Sequence, residues 1–174
     1  MNTIPFVLSI MGLVSMIAAS LTKGERMKMI LFLVFFGNFF VAVSYLLDGK
    51  GINGAAACFL GALQTLINYF FTSRGKNIPK WLLFIYAVSI IIVNIWVAKG
   101  ITFLGMLVII ASLTFIMCIA QPNGAGYRFW TIVNMVLWCS YDIIAGAYPS
   151  LITHVVLLVF TVTGMIVYDR KKCV

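Results

Sequence analysis

Residues 134–170 read NMVLWCSYDIIAGAYPSLITHVVLLVFTVTGMIVYDR. Two apolar segments flank the tight turn Gly146-Ala147-Tyr148-Pro149, after which the chain turns basic. Asn134, Trp138, Tyr141 and Asp142 stand at i, i+4, i+7 and i+8, the spacing of one helix face. A carboxylate in such apolar company is costly, and its default reading is functional. His154, the only histidine of the chain, lies six residues after Tyr148, and Asp142 lies six before it. At about 1.5 Å of rise per residue both sit roughly 9 Å below the turn, in adjacent segments. A carboxylate and an imidazole at that depth can pair and exchange a proton with the aqueous side. A hydrogen bond that only ties the hairpin accounts for the same placement.

Working outward from this hairpin, the composition fixes the class. The chain has 174 residues, of which 63% are hydrophobic and 9% charged. A soluble domain of this size needs a polar skin that these residues cannot supply, so the bilayer is the expected solvent. A spanning helix takes about 20 apolar residues. The apolar runs predict seven spans, at residues 4–21, 30–47, 54–72, 81–98, 101–120, 129–147 and 150–168. They form a single membrane domain over residues 1–174, with no soluble catalytic module. Pro5 falls in the first turn of span one, where a missing N–H does no harm. Span three is rich in small residues (Gly54, Ala55, Ala56, Ala57, Gly61, Ala62), which predicts a central helix. Cys58, Cys118 and Cys139 lie inside apolar runs and read as small hydrophobes.

The net charge of +8 does not point to nucleic acid, because the basic residues are spread thinly over loop ends. They report topology instead. With seven spans, Lys23, Arg26, Lys28, Arg74, Lys76, Lys80, Arg128, Arg170, Lys171 and Lys172 fall on one side, and only Lys50 and Lys99 on the other. This bias predicts an N-terminus outside and a C-terminus in the cytoplasm.

The chain also repeats itself at a spacing of 96. Asn38 corresponds to Asn134, Ser44 to Ser140, Tyr45 to Tyr141, Thr65 to Thr161, Arg74 to Arg170 and Lys76 to Lys172. The expectation is an all-α membrane protein of 3+1+3 plan. A first three-helix bundle spans residues 1–76, a linker helix 77–100 and a second bundle 101–174. An odd linker places both bundles in the same orientation, related by an axis along the membrane normal.

At this point the residues show a resemblance. WCSYDIIAGAYPSLITH (138–154), with a following span that ends in the basic YDRKK (168–172), resembles the second half of the YgjV-type bacterial inner membrane proteins. GALQTLINYFFTSR (61–74) resembles their third span. The resemblance implies an inner-membrane address. More distantly, the 3+1+3 plan is similar to the SWEET sugar transporters and the PnuC vitamin transporters. That similarity implies carriage of a small polar solute between two three-helix bundles by alternating access. The chain departs from these patterns in three ways. Span five has no hinge proline, Gln121-Pro122 reverses the PQ dipeptide, and His154 stands where YgjV-type proteins often carry an acidic residue.

The residues themselves nominate a solute-binding set. Asn38 and Asn134 are amides at matching depths, and an amide in lipid must find partners. On paired helices they could hold a polar solute between them, or serve only as interhelical ties. Trp138 and Tyr141 share the Asn134 face and would offer an aromatic plate to a sugar, nucleoside or vitamin. Tyr45 duplicates Tyr141, but Ala42 replaces the tryptophan. Gln64 and Asn68, at i and i+4, form a further polar face. Asp142 and His154 are the candidates for gating or proton exchange.

Catalysis is not expected. Ser140 lies roughly 200° around the helix from Asp142 and no nucleophile elbow is present. One histidine without an intramembrane glutamate argues against a zinc site, and no phosphate loop or dinucleotide fingerprint occurs. No cofactor or metal is therefore expected. The expected partners are the bilayer and a small polar solute, and a homo-oligomer is compatible with the sequence. A non-transporting scaffold or assembly factor is the competing reading.

Overall fold

A computed structural model describes residues 3–48, 52–97, 102–146 and 148–169. Among them are seven α-helices and no strand: α1 (Thr3–Ser20), α2 (Met27–Asp48), α3 (Ile52–Ser73), α4 (Lys80–Val97), α5 (Phe103–Ile119), α6 (Gly124–Ala145) and α7 (Tyr148–Tyr168). Each predicted span corresponds to one helix. The largest shift is at α6, which begins five residues earlier than its apolar run. Asn123 causes this: its side-chain oxygen accepts the Gly126 N–H at 2.9 Å and caps the helix. The Gly124-Ala125-Gly126 stretch, expected to be loop, is thus the first turn. At the other end Gly146, at φ 69°, closes α6 in the left-handed conformation that glycine adopts without strain.

Windows in α2, α3, α4 and α7 are long and apolar enough to cross a membrane, while α1 and α5 carry shorter apolar runs. The least apolar helix is α6, which bears Arg128, Asn134 and Asp142. Outward faces present large apolar side chains such as Phe6, Phe84, Ile92 and Ile152. Trp81 and Trp96, at the two ends of α4, are exposed as interface anchors would be. Trp130, in the second turn of α6, packs against the core.

The helices pack as α1–α2–α3 and α5–α6–α7, with α2 and α6 each lying between two neighbours, and α4 rests on α5 and α3. Small residues permit the close approaches. A Cβ on Gly12 would run into Val41 and the Gly37 carbonyl, and one on Gly37 into Met16, so α1 and α2 touch backbone to backbone. The trios meet through α1–α7 and α3–α5. Their shared core (Ala19, Ile30, Leu31, Val34, Ile119 and Tyr127) collects at the end where α1 and α5 finish and α2 and α6 begin. This is called the Arg128 end below, and the opposite one the Gly146 end.

Candidate functional site

The α6–α7 hairpin brings four of the predicted residues together. His154 Nδ1 lies 2.6 Å from Asp142 Oδ2. The Asp142 side chain is 2% exposed and that of His154 23%. The two side chains are within hydrogen-bonding distance, and the imidazole tautomer sets which of them donates. The Trp138 indole stacks on the His154 ring at 5.6 Å and 25° between planes. Tyr141 meets the other flank of Trp138 edge-on, with centroids 5.6 Å apart. The i, i+4 relation of Trp138 and Asp142 and the tight turn at Gly146 produce this arrangement. Chemically it is a carboxylate–imidazole pair, buried at Asp142 and partly open at His154, with an indole stacked on the imidazole. Ser140 takes no part, since its hydroxyl donates to Val136 O.

The amides lie elsewhere. Both Asn38 and Asn134 are buried midway along their helices. The Asn134 Nδ2 group donates across to α5, to Ala111 O and, at 2.9 Å, to Thr114 Oγ1. Asn38 Nδ2 donates to Val34 O in its own helix at 3.0 Å, and its carboxamide lies against Gly61 of α3. Among the described residues no hydrogen bond joins the two amides. Tyr45 belongs to α2, but its side chain lies outside the described residues. Asn68 is fully buried: its Nδ2 donates to Ile119 O at 3.0 Å and its Oδ1 accepts from the Tyr86 hydroxyl at 3.1 Å. It therefore binds α3 to α5 and α4. Gln64 is 2% exposed, and neither its Oε1 nor its Nε2 has a hydrogen-bond partner. A buried amide left so is a position for water or a polar ligand.

A second centre escaped the sequence reading. Arg128, expected to be a loop charge, is one turn inside α6 and 0% exposed. Its Nε and Nη2 grip Asp169 at 2.9 and 2.6 Å. Nη1 donates to Thr22 O at 2.8 Å and to Ser20 O at 3.4 Å. The Tyr168 ring lies 5.7 Å from the guanidinium carbon. The guanidinium thus closes the carbonyl end of α1, where the helix dipole favours a cation. The signal was present but faint: Asp169 is one of only four acidic residues and stands in a basic tail.

An open groove of about 410 Å³ runs between α4 and α5. Its walls, among them Leu83, Phe84, Ile110, Leu113 and Met117, are apolar, and the hydroxyl of Thr114 in its lining is bonded to Ala111 O.

Among known proteins, the chain from residue 4 to 172 matches the Imp-YgjV family model, described as a bacterial inner membrane protein. Neither a curated protein nor a solved structure matches it. A match over nearly the full length places the address together with the apolar helices: the chain belongs to the Imp-YgjV family of bacterial inner membrane proteins.

Proposed function

We propose that the chain carries a small polar or aromatic-polar solute, of the sugar, nucleoside or vitamin kind, across the inner membrane. It would do so by alternating access between α1–α3 and α5–α7, with α4 as the linker. The observation that carries this reading is the Asp142–His154 pair, buried at its carboxylate and partly open at its imidazole, beside the Trp138 indole. An acid–base pair inside an apolar bundle is costly to keep, and it supplies a proton beside a flat aromatic surface. Asn38, Tyr45, Gln64, Asn68, Asn134, Trp138 and Tyr141 form the solute-contacting set, and Asp142 with His154 gates or titrates. Gln64 has both amide atoms free to receive a solute.

The duplicated plan has support at the residue level. Thr65 and Thr161, separated by 96 positions, are both fully buried, and each donates to the carbonyl four residues earlier at 2.7 Å. Asn38 and Asn134 are both buried in the middle helix of a trio. The distribution of basic residues supports an outside N-terminus and a cytoplasmic Arg128 end.

The test is a thermal-shift screen of the purified protein against sugars, nucleosides and vitamins, followed by uptake of any hit into reconstituted vesicles. A ligand at 100 times its Kd stabilises by about 2.7 kcal/mol. Trp138→Ala is expected to abolish the shift, and Asp142→Asn to remove the response of uptake to an imposed pH gradient. Uptake unchanged in both Asn134→Ala and Trp138→Ala would sink the site assignment. The scaffold reading has its own support, since the Asn134 amide is committed to α5 and the α4–α5 groove is apolar. A screen without a single stabilising solute favours it.

A further inference from the structure

We propose that the Arg128–Asp169 cluster is a releasable latch that holds the two trios shut at one end of the molecule, and so is one of the two gates of the solute path. This rests on the alternating-access reading. Five hydrogen bonds between the trios gather in the Arg128 half. Arg128 reaches Thr22 O and Ser20 O of the first trio. Ser20 Oγ and Thr161 Oγ1 are 3.0 Å apart, Gly124 N–H donates to Gly24 O at 3.0 Å, and Asn68 reaches Ile119 O. In the Gly146 half the bonds of Ser44 and of Asp142 stay inside one trio. Ser44 binds Ser9 and Pro5 O of α1, and Asp142 binds His154 of α7.

The seam at the latch is built to part cleanly. A Cβ on Gly124 would run into the Gly24 backbone and one on Gly164 into the Ser20 carbonyl, so at these two points the trios meet backbone to backbone beside the Arg128 side chain. The fastening is polar and sits at the end of the helices, with the Asp169 side chain 18% exposed. Water can therefore resolvate the guanidinium, the carboxylate and the α1 carbonyls on opening, which a purely apolar seal does not allow. The apolar cluster of Ile30, Leu31 and Ile119 lies beside the latch and is kept dry by it. Rocking about the contact of Gly61 in α3 with Phe115 in α5 would then open the Arg128 end, releasing Asn68 from Ile119 O, as the Gly146 end closes.

The experiment uses the full chain in nanodiscs, with Cys58, Cys118, Cys139 and Cys173 replaced by Ala. Spin labels are placed on two inter-trio pairs of exposed positions, Glu25 with Ala125 at the latch and Leu47 with Ile143 at the far end. In Arg128→Gln, which takes the guanidinium away from the α1 carbonyls, the first distance should lengthen by several ångströms while the second shortens. Ser20→Ala combined with Thr161→Val, a gentler lesion, should shift both in the same senses by less. An unchanged first distance in both variants overturns the latch. Both distances broadening together also overturns it, because that is a loosened fold and not a gate. Reciprocal movement in a protein that transports nothing leaves the latch standing and removes the transport reading. Uptake without reciprocal movement does the opposite.

Discussion

Removing the imidazole from the Asp142–His154 pair strands a carboxylate that is 2% exposed. His154→Ala is therefore expected to destabilise the protein by about 1–3 kcal/mol, the cost of a buried polar group left unsatisfied. Asp142→Asn, which keeps a hydrogen-bonding group on the carboxyl side, should cost less, and denaturation in mixed micelles ranks the two. If His154→Ala is the milder change, the pair is not a pair in the folded protein. Arg128 should be more sensitive still. Arg128→Ala leaves Asp169 and the α1 carbonyls without their cation, and breaking a buried pair costs about 3–5 kcal/mol. These two sites differ in how far they could be read beforehand. Asp142 and His154 are equidistant from a turn that Gly146 announces, so helix rise alone sets their depth. The burial of Arg128 depends on the end of α1 and on Asp169, 41 residues further on. Nothing local distinguishes it from a loop charge.

At the level of the helix, what decides the geometry is where side chains are missing. A methyl on Gly164 would collide with the Ser20 carbonyl, so Gly164→Ala should separate α7 from α1 at a cost of about 1–3 kcal/mol. Gly75, by contrast, has nothing around its added Cβ but sits at φ 66°. Gly75→Ala should cost about 1–2 kcal/mol through backbone strain alone, with no change in helix contacts. Comparing the two by unfolding and by α1–α7 crosslinking separates a packing glycine from a conformational one. Between α3 and α4, Tyr86→Phe removes the hydroxyl bound to Asn68. Interhelical bonds in membranes average about 0.6 kcal/mol, so a small loss in unfolding free energy is expected. Helix positions were legible because apolar runs end at glycine and charge clusters. The start of α6 was not, because Asn123 extends that helix backward over residues whose composition is that of a loop.

For the molecule as a whole, the seven helices follow from the number and length of the apolar runs. Which helices touch does not. The contact of α1 with α7 joins the two ends of the sequence, and it rests on Gly164, Ser20, Thr161 and Arg128 together. That arrangement bears on biogenesis. The first helix leaves the ribosome early, yet the cation that closes its carbonyl terminus is Arg128, and the carboxylate that holds that guanidinium is Asp169. The end of α1 is therefore left without its full set of closing contacts until Asp169 has been made. A chain stopped after residue 165 should keep the segment 21–26 open to cleavage in pulse-chase proteolysis, whereas one stopped after residue 169 should protect it.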